Sequence, residues 1–313
     1  MSGRRLRGRE GTLTGVALTA LGAVGFASKG IFAKFLYADG WGADATVSAR
    51  SFLALPILAV WAFAAVGARE LVRPAPRVIL GAAFAGVLTF YAGAMLDFRA
   101  LTMIDASIER VLLFTYPSMI VVLHAALYRE WPQRSVLGAL TLTYGGILMV
   151  VTGLDAQVLH GNLAGAGLVL GCALLSACYY LASDRWTPSI GSIAFTFYAL
   201  TAATLCLGVH VAVSGARSAM VWQLRDVGLF AGLVLVATVM PIVAMAEGVR
   251  RLGAQRAAVI STIGPPTTIL LGAWLIDERL RPAQWLGVAL IVAGILALEG
   301  SERAAADAAT RAG

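Results

Sequence analysis

Charge is scarce in this chain of 313 residues, at 13% Asp, Glu, Lys and Arg against about 25% in a soluble globular chain. Cysteine is scarce as well. Cys172, Cys178 and Cys206 lie singly in apolar stretches with no metal-ligand spacing, so each reads as core filling. No Walker loop, no Ser–Lys or His with Gly-x-Ser set and no paired membrane aspartates can be found, which removes the chemical basis for an ATP-driven pump or an intramembrane protease. His124 stands alone in an apolar helix, and His160 and His210 do not cluster with it. No metal or cofactor site follows from these residues.

Apolar residues fill the space instead: 59% of the chain is hydrophobic, with a mean hydropathy of +0.82. A soluble core cannot absorb that surface, so soluble enzymes, disordered chains and nucleic-acid modules are excluded. Crossing a bilayer core of about 30 Å takes roughly 20 apolar residues. Ten such segments can be marked, at 12–37, 44–66, 76–100, 105–127, 133–152, 161–183, 189–214, 226–249, 254–276 and 282–299. They are long and continuous rather than alternating, so they are read as helices and not barrel strands. Turn chemistry separates them at Asp39-Gly40, Pro74 and Pro76, Asp155, Thr187-Pro188 and Arg281-Pro282. Residues 1–11 and 300–313 are polar tails. Arg4, Arg5, Arg7 and Arg9 ahead of Gly25-Phe26-Ala27 imitate a signal peptide, but the segment stays apolar to Tyr37, so the first helix is expected to be retained.

A net charge of +7 would suggest nucleic acid in a soluble protein. Here the distribution is the better guide. With the N-terminus inside, fifteen Arg fall on the cytoplasmic side and five (Arg99, Arg217, Arg225, Arg279, Arg281) on the other, while Lys29, Lys34, Arg50 and Arg110 lie within or near helix ends. This asymmetry places both termini in the cytoplasm.

Residues Ala106 to Glu130 align without a gap on Ala254 to Glu278, sharing Val111 with Val259, Pro117 with Pro265, Leu123 with Leu271 and Glu130 with Glu278. After one inserted residue, Gly138 and Gly145 match Gly287 and Gly294. The chain thus divides into repeats at 12–152 and 161–299, each with five helices. An odd helix number inverts the second copy in the membrane, an architecture through which transporters exchange an outward-open for an inward-open cavity.

Ten helices in two such repeats, each ending in an Ala–x(10)–Pro–x(12)–Glu helix and a Gly–x(6)–Gly helix, resemble the drug/metabolite transporter superfamily and its EamA domains over about residues 12–299. The stretch from Arg110 to Pro117 is similar to that family's fourth helix, and the stretch from Pro265 to Glu278 to its ninth. The Lys, Tyr and Met of the first and third helices look most like YddG-type aromatic amino-acid exporters. The resemblance implies an all-α fold around a basket-shaped central cavity and export of metabolites across the inner membrane. Amino acids are then the expected substrates and the bilayer the expected surrounding, with no nucleic acid and with a monomer sufficient.

Lys29, with Phe26 on its helix face, either meets a substrate carboxylate in the cavity or snorkels outward. Tyr91 and Met95, one turn apart, suit an apolar side chain or ordinary packing. Pro117, after Tyr116, and Pro265 and Pro266 fall mid-helix and free the carbonyls of Leu113, Ser261 and Thr262, which need a hydroxyl, a water or a substrate ammonium. Tyr179 is the repeat counterpart of Lys29 at an offset of 150. Glu109 and Arg110 are candidates for a gate, with an interfacial position as the blander reading; Arg110 is the next candidate for the substrate anion after Lys29. Asp97 and Arg99 are expected to pair at the outer interface, and Glu247 to form an inner-gate bridge with Arg250 or Arg251. Glu130 and Glu278 look structural. A cationic or multidrug exporter would want a central membrane carboxylate, and none is evident in the sequence. A non-transporting assembly subunit remains as a reading from a different class, against which the kinked polar positions argue.

Overall fold

A computed structural model describes residues 2–129, 134–153, 155–214, 222–252, 260–261 and 263–312, and all regular structure among them is helical. Seven helical passages of 22 to 26 residues are long and apolar enough to cross a membrane, and Leu137–Thr152 and Pro282–Ala297 form two shorter apolar helices. The part of the ninth passage that falls on 253–259 and on Thr262 lies outside the described residues.

The first passage is α1 (Ser2–Ala27) and α2 (Lys29–Ala38), broken at Ser28. The second is α3 (Ala43–Val66), followed by one turn, α4 (Ala68–Val72). The third joins α5 (Pro76–Gly86), a π-helical segment Val87–Gly93 and α6 (Ala94–Ala100). The fourth is split into α7 (Ala106–Leu113) and α8 (Tyr116–Tyr128). Next come α9 (Arg134–Thr152), α10 (Ala156–Ile190) and α11 (Ser192–Ser214). The eighth passage repeats the design of the third, with α12 (Leu224–Ala231), a π-helical segment Gly232–Val239 and α13 (Met240–Leu252). The ninth is α14 (Gly264–Leu275), and the tenth begins α15 (Pro282–Ala312).

Lipid tails supply no hydrophobic drive between helices, so close backbone approach at small residues has to hold the bundle. Helix α1 lies on α13, where a Cβ added to Gly25 would fall 2.6 Å from the Pro241 ring. Helix α9 lies on α15, where a Cβ on Gly146 would fall 2.6 Å from the Gly287 carbonyl, whereas Gly145 next to it faces open space.

Two expectations about boundaries change. Helix α10 runs through Thr187-Pro188 and ends only where Gly191 takes φ 79°. A proline so near a helix end sacrifices a single backbone bond, too little to stop the helix earlier. The tails also continue as helix, from Ser2 into the first passage and through Ala312 after the last.

Candidate functional site

The breaks in the helices are where polar groups meet. Helix one has no proline at its break. Gly25, Ser28 and Gly30 weaken it instead, and the Ser28 hydroxyl turns back to the Gly25 carbonyl at 2.7 Å. The carbonyl of Ala27 accepts a hydrogen bond from Thr268 of α14 at 2.9 Å. In the fourth passage the hydroxyls of Thr115 and Ser118 donate to the carbonyls of Leu112 and Thr115 at 2.6 and 2.7 Å. Neighbouring hydroxyls therefore serve backbone carbonyls at these interruptions. Pro117 and Pro265 both fall in the first turn of the helix that restarts after a break. Ser261 is buried, and Thr262 is outside the described residues.

Starting α2 at Lys29 carries its ammonium inward. Lys29 is 8% exposed, so it does not snorkel. It donates to Asp97 of α6 and, at 3.2 Å, to Glu109 of α7. These carboxylates are 3% and 1% exposed. The interfacial reading of both is corrected: Asp97 does not pair with Arg99, which binds Asp44 through two bonds of 3.0 and 2.9 Å. An isolated charge at this depth is costly, and the ammonium and the two carboxyl groups offset one another's burial.

Two further cations flank the triad. Arg50 lies over the Phe98 ring at 4.9 Å and Arg110 follows Glu109 on α7, and the Nε of each is buried without an acceptor among the described residues. Asp97 Oδ1 likewise lacks a donor there. Three cations face two carboxylates, which leaves one positive charge in excess if all are ionised. Arg110 reaches α14, where a Cβ on Gly264 would meet its Nη2 at 3.0 Å.

The aromatic candidates separate. Tyr116 stacks on Tyr180, with ring centroids 4.9 Å apart and planes at 14°. Tyr179 turns instead into packing, edge-on to Phe90 and against Phe195. Tyr180, the next residue along, is thus the better placed of the two to meet Tyr116. Tyr91 meets His210 at 3.2 Å and lines a groove of about 560 Å³ with Leu205, Cys206 and Val209. Met95 is buried core beside Phe98 and Leu36, and Phe26 is half-buried on α1. Glu247 pairs with Arg251 at 2.6 Å within α13, so this bridge joins no two helices.

One end of the bundle is laced together. Arg225 pairs with Asp39 at 3.0 Å and Arg281 with Asp155 at 2.7 Å, and Lys34 donates to the Ile104 carbonyl at 2.7 Å. Glu278 accepts from the Ala106 and Ser107 amides at 2.6 and 3.0 Å and from the Ser107 hydroxyl at 2.7 Å. Asp105, in the turn before α7, is held above the usual carboxylate range by burial and by nearby Glu278, with Lys34 pulling the other way.

Broken helices that bring polar groups together inside an apolar bundle are the construction used by membrane transporters. The chain belongs to the EamA-like transporter family, whose pattern matches residues 13–152 and 163–299. It is 32% identical over 278 residues to the "Uncharacterized transporter YcbK" of Bacillus subtilis, covering 87% of this chain and 88% of that one. It is 26% identical to the "Uncharacterized inner membrane transporter YicL" of Salmonella typhimurium, over 66% and 68% of the two chains. A solved crystal structure shares the fold at 17% identity, with a TM-score of 0.60 over 92% of this chain and 96% of the other.

Proposed function

We propose that this EamA-family chain is a secondary transporter exporting amino acids, aromatic and other apolar ones included, across the inner membrane by alternating access. The observation that carries the reading is Arg110. Its buried Nε has no acceptor among the described residues, its chain lies where α7 meets α14, and Tyr116 in the following turn stacks on Tyr180. A substrate carboxylate there would balance the excess charge of the cluster, and the tyrosine pair would receive the side chain. Lys29, already engaged by Asp97 and Glu109, organises the site in this reading and does not bind the anion itself. The repeats 12–152 and 161–299 would rock against each other, with both termini cytoplasmic. Reporters fused after Gly313 and inserted at Arg73 should then both read as inside.

Counterflow in proteoliposomes with labelled phenylalanine and leucine tests the substrate class. A charge-assisted hydrogen bond is worth roughly 1.5–3 kcal/mol. Arg110→Met should therefore weaken amino-acid binding by about ten- to a hundredfold and leave methyl esters, which lack the anion, little affected. Equal loss for acid and ester would remove Arg110 from the site. Tyr180→Ala should shift the preference between phenylalanine and leucine, while Tyr179→Ala should lower thermal stability and leave the preference as it was.

A second reading has its own observation. Asp97 and Glu109 are buried membrane carboxylates of the kind a cationic small-metabolite exporter needs. Exchange of organic cations with none of amino acids would favour it, and would mean that Lys29 leaves its carboxylates during transport.

A further inference from the structure

The capping of α7 is unusual in its source. The first amides of a helix need acceptors from outside it. The N-cap residue, Asp105, supplies no side-chain hydrogen bond to α7. Glu278, distant in sequence and belonging to the other repeat, takes both the Ala106 and Ser107 amides and the Ser107 hydroxyl. Two backbone features aim it there. Asp277 adopts a left-handed φ of 53°, and the Glu278 amide bonds to the Gly272 carbonyl at 3.1 Å. Gly272 also makes the room: a Cβ on it would fall 2.7 Å from Glu278 Oε2 and 2.8 Å from Ser107 Oγ.

The contact joins α7 to the segment following α14, the fourth and ninth passages, which are repeat counterparts. It lies at the same end of the bundle as the Arg225–Asp39 and Arg281–Asp155 pairs. Helix α7 is eight residues long and carries Ser107, Glu109 and Arg110 within one turn. Glu109 ties its middle to Lys29 of α2, and a Cβ on Gly30 of α2 would fall 2.8 Å from the Ala106 side chain. So short a helix, pinned at several points, moves as one piece. Whatever shifts its N-terminus shifts Arg110 as well.

We propose that Glu278 is the latch of a gate: its three hydrogen bonds to α7 hold this end of the transporter shut, and opening that end requires them to break together. Glu278 is then a positioning residue, touching no substrate and acting through α7 on Arg110. The idea rests on the alternating-access reading for its purpose, but not on which substrate is carried.

Cys172 supplies a native reporter. It is 5% exposed, and its Sγ lies 3.5 Å from where a Cβ on Gly93 would fall, one turn before Asp97, behind the proposed gate. The full chain in sealed vesicles of each orientation is treated with a membrane-impermeant maleimide, without substrate, and modification of Cys172 is followed by peptide mass spectrometry. Glu278→Ala should raise the labelling rate from the Glu278 face by about tenfold or more, with labelling from the opposite face not increased. Ser107→Ala, which removes one of the three bonds and leaves Glu278 in place, should give a smaller rise from the same face and serves if Glu278→Ala does not fold. No rise in either variant, or an equal rise from both faces, would overturn the latch. Because no substrate is present, a failure of amino-acid counterflow leaves this result standing and counts only against the proposed substrate.

Discussion

The two repeats share a plan and differ in what they carry. Their third passages both contain a π-helical segment, Val87–Gly93 and Gly232–Val239, and Pro117 and Pro265 both fall in the first turn of a restarting helix. The charge is one-sided. Lys29, Arg50, Asp97, Glu109 and Arg110 all belong to the first repeat, and the gap-free alignment sets Ala257 and Ala258 opposite Glu109 and Arg110. The first helix breaks to admit Lys29, whereas α10, which opens the second repeat, runs unbroken through Tyr179. Duplication explains the frame, and divergence within it has concentrated the chemistry in one half.

The largest test of that contrast is Lys29→Met, which strands two carboxylates in the membrane and should cost about 3–5 kcal/mol of stability. Thermal unfolding in detergent should show most of the loss recovered when Asp97→Asn and Glu109→Gln are added. A stable single variant would mean that the triad is not an interdependent unit. Next in size, Gly146→Ala should destabilise the α9–α15 contact by about 1–3 kcal/mol, while Gly145→Ala, facing open space, should be silent; equal effects would deny the tight crossing. Thr268→Val removes the hydroxyl that serves the helix-one break and should cost about 1 kcal/mol. Thr267→Val, whose hydroxyl bonds within its own helix, should stay within about 0.5 kcal/mol.

The smallest effect concerns pH. Burial and Glu278 raise the Asp105 pKa when the end of the bundle is closed, so the closed form binds that proton more tightly than a form from which Glu278 has withdrawn. Closure is therefore fully favoured below the ordinary aspartate range, and the advantage fades as pH rises through the raised value. Acidifying that face should slow labelling of Cys172 by more than it slows labelling of the unfolded chain, and Asp105→Asn should leave only the pH dependence of the thiol itself. A larger dependence that survives the substitution would assign it to another group.

Apolar length made the ten passages legible, because a bilayer sets a minimum run of residues that few other environments demand. The prolines and the shared Glu also exposed the repeat and the split helices. The triad was not legible in the same way. Its partners are 68 and 80 residues from Lys29, and no local pattern joins them. A signal was nonetheless present: Lys29, Asp97 and Glu109 each lie in an apolar run where a lone charge is too costly, and taken together they ask for one another. With Asp97 and Glu109 read apart from Lys29, at the interface, no central carboxylate was evident. The choice between Tyr179 and Tyr180 was beyond reach, since adjacent helical positions differ by about 100° in direction and only the neighbours decide which faces inward.

The π-helical turn at Val87–Gly93 has a consequence for how this protein can evolve. Its hydrogen bonds span one residue more than those of an α-helix. Losing a single residue there would let the passage close into regular helix with Asp97 still facing Lys29, because the wider turn takes up one extra residue without rotating what lies beyond it. The turn holds one spare residue behind the alignment of that ion pair. Descendants should therefore tolerate the loss of one residue among Val87–Gly93 more readily than the gain of another, for which the turn has no further slack.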